Sequence, residues 1–103
     1  MYCIYKITND INNQVYIGLT TRSIEQRWKE HIRHKSSSID NAIQKYGIAH
    51  FSVEEIEECP DEIIDEREVY WIDFYDTYNN GYNATKGGDG TILFSHYEIL
   101  KLL

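Results

Sequence analysis

The sequence has 103 residues, a mass of 12.2 kDa and a mean hydropathy of -0.54, which is enough chain for one small domain with a single core. Its formal net charge of -7 at pH 7 argues against unassisted binding to a polyanion such as a nucleic acid. The chain shows no signal-peptide pattern and no apolar run long enough to span a membrane, so we expect an intracellular protein. Its two cysteines, Cys3 and Cys59, lack metal-ligand spacing, and we expect both thiols to be reduced.

The charges are unevenly distributed along the chain. Residues 1–50 carry seven Lys and Arg against four Asp and Glu, a net +3, whereas residues 51–103 carry three against thirteen, a net -10. Any surface that binds a nucleic acid is therefore expected in the first half, with an affinity that is weak and decreases with salt. Such a domain is expected to need a further region that holds DNA more tightly.

The first predicted elements form a β-hairpin. Residues 2–8 and 14–18 are rich in side chains that favour strands, and the asparagines in residues 9–13 favour a turn between them. Tyr5 and Tyr16 are each typical of a strand, but as a cross-strand pair they become candidate functional residues.

Gly18 shares the face of Tyr16, because side chains alternate along a strand. A glycine at this position would leave room for a backbone to approach. We therefore treat the end of the second strand as a possible contact surface.

Two helices are predicted next. Ser23 and Gln26 have the spacing of a capping box, and the helix that they begin extends to about residue 34. A second helix is predicted over residues 38–46 and ends at Gly47, a residue favoured just after a helix.

The first of these helices carries two stripes of side chains. The core-facing stripe contains Ile24, Trp28 and Ile32, and a second stripe, about 100° around the helix, contains Arg27, His31 and His34. Arginine can hold a phosphate through two hydrogen bonds, and histidine can move a proton near neutral pH. The alternative interpretation is a solvated basic face, which is the commoner outcome for an isolated Arg-x3-His pair.

The second half of the chain begins with a third strand. This strand is predicted over residues 51–56, and a longer helix follows from Pro60 to about residue 75. Turns are predicted at residues 79–81 and 87–90, and a last helix at residues 95–103. The order of elements predicts the α+β class, with a small three-stranded antiparallel sheet flanked by helices.

One acidic residue interrupts the apolar stripe of the long helix. Glu68 lies four residues after Ile64 and four before Ile72. A carboxylate there is partly desolvated, which costs free energy unless it is paired or binds a cation. Two interpretations stay open, an ion pair with Arg67 or an arginine of the first helix, and a ligand of Mg²⁺, an ion that keeps most of its waters.

Five short motifs occur in a fixed order along the chain. They are Cys3-Ile4-Tyr5, Tyr16-Ile17-Gly18, Arg27-x3-His31, Glu66-Arg67-Glu68 with Trp71-Ile72, and Gly81-Tyr82-Asn83. In this order they resemble the signatures of the GIY-YIG nuclease superfamily, in particular the phage and intron-encoded homing endonucleases. The resemblance implies a catalytic domain at residues 1–90, with residues 91–103 either a helix packed on the core or the start of a linker to a DNA-binding region.

The resemblance also implies an activity and a role for each motif residue. The chain would be a metal-dependent DNA endonuclease that leaves 5′-phosphate and 3′-hydroxyl ends, with Glu68 as the sole protein ligand of one Mg²⁺, for which Mn²⁺ would substitute. Tyr5 would help to activate the attacking water, and Tyr16 would position the nucleophile or the scissile phosphate. Arg27 would stabilise the transition state, and His31 would assist proton transfer or hold the phosphate.

The remaining implied roles concern the closing loop and the substrate. Asn83 would brace the active site from that loop. Further substrate contacts are predicted at Lys6, Gly18, Arg33, His34 and Lys35. The partner would be DNA and not a membrane, and the source a phage, a virus or a mobile element.

Two positions depart from the signatures. Cys3 stands where the first motif usually begins with glycine. Residues 36–38 are serines where some phage homing enzymes carry a second histidine, so that either His34 substitutes for it or the chain functions without it.

Two non-enzymatic interpretations compete with the nuclease. A degenerate nuclease fold could serve as a nucleic-acid or protein interaction module, but the intact Tyr5, Arg27 and Glu68 positions argue against it. An inhibitor with an acidic surface that mimics DNA has only the -10 charge of residues 51–103 in its favour.

Overall fold

Three antiparallel strands form the centre of the fold, and helices cover both faces. A computed structural model describes residues 1–88. Its elements in chain order are β1 (Tyr2–Asn9), β2 (Val15–Thr20), α1 (Ile24–Arg33), α2 (Ser38–Tyr46), β3 (Phe51–Cys59), α3 (Ile64–Tyr75) and α4 (Thr77–Asn80). This confirms the predicted α+β class, whereas the helix predicted at residues 95–103 lies outside the described residues.

The strands are ordered β2-β1-β3, with the first strand of the chain in the middle. The predicted hairpin between β1 and β2 is present, and Asn13 takes the left-handed conformation that its turn requires, with φ 61°. Tyr5 pairs with Gly18, while Ile7 pairs with Tyr16. The two tyrosines are therefore diagonal rather than direct neighbours across the strands.

The two faces of the sheet have separate cores, because side chains alternate along β1. The face that packs against α1 and α2 has a buried core of Tyr5, Ile7, Ile39, Ala42, Ile43 and Tyr82. The face that packs against α3 has a buried core of Ile4, Ile17, Cys59, Ile64 and Ile72. The fold is thus a sheet between two helical layers.

Helix α1 begins as predicted, since the Ser23 Oγ accepts a hydrogen bond from the Gln26 N–H at 3.2 Å. Ile24 and Trp28 pack against the core, but the buried residue of this helix is His31, only 2% exposed. The interpretation of the second stripe as a solvated basic face is therefore wrong for His31.

Strand β3 and helix α3 begin and end differently from the prediction. The strand continues past Ile56 to Cys59, because β1 supplies pairing partners along its whole length. The Pro60 position precedes a single 3-10 turn, Asp61–Ile63, and the α-helix starts only after it. No helix within residues 1–88 is both long and apolar enough to cross a membrane.

Candidate active site

Tyr5 is held against the main chain of β2. An added Cβ on Gly18 would lie 2.2 Å from the Tyr5 Cζ atom and 2.4 Å from its hydroxyl oxygen. The space above Gly18 therefore belongs to the Tyr5 ring. Our expectation that this glycine leaves room for an approaching backbone is wrong, because a side chain of the same domain already fills that room.

The Tyr5 hydroxyl begins a line of buried hydrogen bonds. Its oxygen lies 2.8 Å from Nε2 of His31, and Nδ1 of the same ring lies 2.7 Å from the Asp40 Oδ1. The three residues are 1%, 2% and 4% exposed. They come from β1, α1 and α2, so the packing of both helices on the sheet fixes the line.

Tyr16 and Arg27 complete this part of the site. The Tyr16 ring lies 6.3 Å from the Tyr5 ring and 5.5 Å from the His31 ring, measured between centroids. The half-buried Arg27 Nη1 donates to the Glu30 Oε1 at 3.1 Å, so Glu30 holds the guanidinium on this face of α1. The site thus joins two phenols, an imidazole and a guanidinium.

Burial dominates the acid–base properties of these groups. It raises the pKa of both Tyr5 and Tyr16, and the positive charge of Arg27 opposes that shift at each phenol. Burial also lowers the pKa of His31, an effect that Arg27 strengthens and Asp40 opposes. Neutral phenols beside a neutral imidazole are therefore the favoured state near pH 7.

Glu68 approaches the same site from α3. Its half-buried carboxylate accepts a hydrogen bond from the Gly88 N–H at 2.9 Å. An added Cβ on Gly87 would lie 3.1 Å from the Glu68 Cγ and 3.2 Å from its Oε1, so this turn fits closely around the carboxylate. The negative charge of Glu68 adds to the effect of burial in raising the pKa of Tyr16, so Glu68 acts electrostatically on one of the two tyrosines of the site.

Arg67, one of the ion-pair partners that the sequence offers Glu68, is engaged with a different carboxylate. Arg67 instead donates from Nε and Nη2 to the Glu57 carboxylate of β3, at 2.9 and 2.7 Å, and Trp71 Nε1 donates to the same carboxylate at 2.8 Å. Within residues 1–88 no group of three His, Cys, Asp or Glu side chains forms a metal site. A hydrated ion held by the single carboxylate of Glu68 fits these residues, because Mg²⁺ accepts few protein ligands.

Asn83 fastens the closing loop to the edge of the sheet. Its Oδ1 accepts from the Ile17 N–H at 2.8 Å, and its Nδ2 donates to the Ile17 carbonyl at 2.9 Å. The preceding Tyr82 N–H donates to the Val15 carbonyl at 3.0 Å. Since β2 is an edge strand, the loop thereby satisfies main-chain groups that the sheet leaves open.

Comparison with known proteins gives the family. The model of the GIY-YIG catalytic domain matches residues 1–83. The chain belongs to the GIY-YIG family. It is 35% identical to intron-associated endonuclease 1 of Enterobacteria phage T4, over 109 aligned positions that cover 95% of this chain and 44% of the relative. A protein of Invertebrate iridescent virus 6, described as uncharacterized protein 019R, is 39% identical over 57 positions, covering 52% of this chain and 20% of that protein.

Solved structures of a GIY-YIG domain agree with this fold. The catalytic domain of the homing endonuclease I-TevI matches with a TM-score of 0.71 at 33% identity, covering 82% of this chain and 99% of that domain. A mutant of the same catalytic domain matches with a TM-score of 0.74, also at 33% identity, covering 87% of this chain and all of that one. The chain spans less than half the length of the phage T4 relative.

The predicted substrate contacts of this GIY-YIG domain separate into two groups. Lys6 is on the opposite face of the sheet from Tyr5, where its Nζ lies 2.9 Å from the Glu54 Oε1 and 4.8 Å from the centre of the Tyr75 ring. Strand alternation therefore points Lys6 away from Tyr5 and Tyr16, and its contact with the substrate stays a prediction. Residues 33–35, the other predicted contacts (Arg33, His34 and Lys35), are exposed at and beyond the end of α1.

Asp40 is the site residue that sequence reasoning missed. It is buried beside Ile39 and Ile43 in α2. A carboxylate on an apolar helix face is the same signal that drew attention to Glu68, and in α2 it was available three residues before Ile43. At Cys3, the position that departs from the first motif, burial raises the pKa of the thiol to about 12, so the thiol is protonated near pH 7.

Proposed function

We propose that this GIY-YIG domain is the catalytic module of a DNA endonuclease. It hydrolyses phosphodiester bonds to 5′-phosphate and 3′-hydroxyl ends, with one Mg²⁺ at Glu68, for which Mn²⁺ substitutes. The observation that carries the proposal is the buried contact of 2.8 Å between the Tyr5 hydroxyl and His31, at a site that also contains Tyr16 and Arg27. A hydroxyl, a base and a cation in one place are what attack on a phosphate requires.

The two residues of the buried contact move the proton of the attacking water. A free tyrosine titrates near pH ~10, and burial raises the pKa of Tyr5 further, so its phenol stays protonated near pH 7. Tyr5 therefore takes the water proton only as it passes its own proton to Nε2 of His31, which lies at hydrogen-bond distance. The lowered pKa of His31 keeps that nitrogen available.

Arg27 and Tyr16 act on the phosphate. The guanidinium can turn from Glu30 to the phosphoryl oxygens, where negative charge grows in the transition state. Tyr16 orients the phosphate or the water with its hydroxyl. A bound Mg²⁺ at Glu68 would supply positive charge beside the leaving 3′-oxygen.

Target recognition is assigned to a separate region of a longer protein. The chain spans 44% of the phage T4 relative, which leaves room for such a region there. The -10 charge of residues 51–103 repels a polyanion, and the +3 of residues 1–50 is modest. Arg33, His34 and Lys35, exposed beside α1, are the proposed phosphate contacts of the catalytic module itself.

Nicking of supercoiled plasmid tests the function. The protein at high concentration and low salt should convert the plasmid to open circles with Mg²⁺ or Mn²⁺ and not with EDTA. Glu68→Gln should reduce the rate about 10³-fold or more, since metal charge stabilisation is worth several kcal/mol. The matched control is Glu66→Gln, which removes an exposed acid from the same helix and should cut like the wild type.

The product ends give a second readout. A nick with 5′-phosphate and 3′-hydroxyl ends is sealed by a DNA ligase without prior kinase treatment. Absence of nicking by the wild type under these conditions would contradict the proposal and favour a non-catalytic interaction module. Cleavage that survives Glu68→Gln would instead overturn the assignment of the metal ligand.

A further inference from the structure

We propose that Asp40 is the positioning residue of this site: it sets the tautomer of His31, so that Nε2 faces Tyr5 as a hydrogen-bond acceptor. This inference deepens the proposed nuclease function and rests on it for its catalytic consequence. The geometric part, which nitrogen of His31 carries the proton, can be tested independently of activity.

The assignment follows from two hydrogen bonds on opposite sides of one ring. A carboxylate can only accept a hydrogen bond, so Nδ1 of His31 donates its proton to the Asp40 Oδ1 at 2.7 Å. A neutral imidazole has one N–H, and Nε2 is left with its lone pair. The partner of Nε2 at 2.8 Å is the Tyr5 hydroxyl, which therefore donates to His31.

Every element around His31 contributes a group that bears on this assignment. Tyr5 faces it from β1, Tyr16 from β2, and Asp40 from α2. Its own helix contributes the guanidinium of Arg27 and the carboxylate of Glu30. Of these groups the Asp40 carboxylate and the Tyr5 hydroxyl lie within hydrogen-bond distance of the ring, and only the carboxylate is restricted to accepting.

The location of Asp40 makes its buried charge tolerable. It lies in the first turn of α2, three residues after the N-cap Ser37, whose Oγ accepts from the Asp40 N–H at 3.3 Å. The positive end of a helix stabilises a carboxylate there. In a capping box the side chain at this position turns back to the N-cap main chain, but here it turns to His31.

The tautomer has a direct consequence for the proton path. As the water oxygen bonds to phosphorus, its proton goes to the Tyr5 oxygen and the Tyr5 proton goes to Nε2 of His31. In the resulting imidazolium the Nδ1 proton stays on the ring and remains hydrogen-bonded to the Asp40 carboxylate, whose negative charge stabilises the new positive charge. The 3′-oxygen leaves with the bonding electron pair and takes a proton from solvent, to which His31 later returns its own. With the opposite tautomer, Nε2–H would point at Tyr5 and this path would be closed.

The test compares Asp40→Asn with Ser37→Ala. The second variant weakens the start of α2 by removing its N-cap hydrogen bond but leaves the Asp40 carboxylate in place, so it controls for helix stability. We expect ¹⁵N NMR of the His31 ring to show Nδ1–H in the wild type and in Ser37→Ala, and a shift toward Nε2–H in Asp40→Asn. We expect kcat for nicking to fall about 10²–10⁴-fold in Asp40→Asn at a nearly unchanged KM, and to stay within threefold in Ser37→Ala.

A pH–rate profile adds a readout that a purely structural role would not move. Because Asp40 opposes the lowering of the His31 pKa, its loss should move the acid limb of the residual activity to lower pH. An Nε2–H tautomer in the wild type would overturn the proposal, and so would Asp40→Asn with the wild-type tautomer and rate. If the wild type does not cut DNA at all, the nuclease function fails, and the NMR result still decides whether Asp40 sets the tautomer.

Discussion

The Tyr5 ring lies where a side chain on Gly18 would be. Tyr5 and Gly18 are paired across β1 and β2, and the Tyr5 hydroxyl lies 2.8 Å from His31 Nε2, so a shift of the ring would disturb that contact. An atom added at Gly18 thus acts on the geometry of the proton path as well as on packing.

Gly18→Ala should therefore lower both stability and activity. The new Cβ would lie 2.2 Å from the Tyr5 Cζ, and overpacking of this kind costs about 1–3 kcal/mol in unfolding free energy. Urea denaturation and plasmid nicking measure the two effects. In the Tyr5→Ala background the added methyl should cost much less, because the clashing ring is gone. Additive losses in the double variant would show that the clash with Tyr5 is not the cause.

The buried His31 makes stability depend on pH. Because burial lowers its pKa below the ordinary value of 6.5, the unfolded chain binds a proton there before the folded one does. The unfolding free energy should thus decrease as pH falls below 6.5 and level off below the folded-state pKa of His31. The total decrease should be about 1.4 kcal/mol for each pH unit by which folding lowers that pKa.

Denaturation between pH 7.5 and 5 in two variants isolates this contribution. His31→Gln should flatten the pH dependence, since the titrating group is removed. His50→Gln, which changes an exposed histidine paired with Asp10, should retain it. A His31→Gln variant with the wild-type pH slope would assign the dependence to other groups.

Single residues differ in how far their role could be read from the sequence. Glu68 stands out in the sequence because a carboxylate on an apolar stripe costs free energy unless it is compensated, and its role as a metal ligand stays a prediction. Asp40 meets the same criterion in a shorter helix, where two turns make a weaker periodic signal. Lys6 follows Tyr5 directly in the sequence, yet strand alternation puts its side chain on the opposite face of the sheet, beside Tyr75.

At the scale of elements, the loop of residues 81–83 acts as a partner for the edge strand β2. Asn83 satisfies the N–H and the carbonyl of Ile17, while Gly81 allows the close approach: a Cβ there would lie 2.4 Å from the Val15 carbonyl oxygen. The strand that carries Tyr16 and Gly18 is therefore held on both sides, by β1 and by this loop.

Asn83→Ala should loosen β2 and slow cleavage. Two main-chain groups of Ile17 lose their partner, which costs about 1–3 kcal/mol. Hydrogen exchange should accelerate at the Ile17 amide, and nicking should slow as Tyr16 loses its fixed position. Asn79→Ala removes an exposed amide that bonds only Asp76 among the described residues, and should leave both measurements unchanged. An Ile17 amide that stays protected from exchange in Asn83→Ala would contradict the conclusion that Asn83 holds β2 in place.

The elements themselves were predictable where local chemistry decides them. The Ser23 N-cap, the asparagine turn and the end of α2 at Gly47 each follow from side-chain or backbone preferences near in sequence. The extension of β3 to Cys59 was not predictable, because Glu57 and Glu58 are poor strand formers and the strand continues there through pairing with β1. Such non-local pairing leaves no mark in a short sequence window.

At the scale of the whole molecule, the two edges of the sheet differ in charge. The acidic strand β3 lies on the edge of the sheet opposite to β2, the strand that carries Tyr16. A polyanion is therefore repelled from one side of the domain and tolerated on the other. The charge pattern limits affinity but also favours one orientation of approach.

Fusion to a sequence-neutral DNA-binding domain should raise cleavage strongly at low protein concentration. A flexible tether supplies a millimolar effective concentration of the catalytic module, which compensates for its weak binding. The expected gain is about 10²-fold or more in kcat/KM, with kcat nearly unchanged, measured by plasmid nicking at physiological salt. The fusion carrying Glu68→Gln is the control and should stay inactive. A fusion no faster than the free domain would mean that binding does not limit the reaction.

The contact between Asn9 and Tyr82 joins positions 73 residues apart. Tyr5, His31 and Asp40 all belong to the first half of the chain, but the loop that fixes β2 and the turn that holds Glu68 come at residues 81–88. On the ribosome, the strands can pair before these last segments have emerged, yet the contacts of Asn83 with Ile17 and of Gly88 with Glu68 cannot yet form. Synthesis order therefore places last the two contacts that complete the candidate site: the bonds from Asn83 to Ile17 and from Gly88 to Glu68 can form only after nearly all of the described residues have been made.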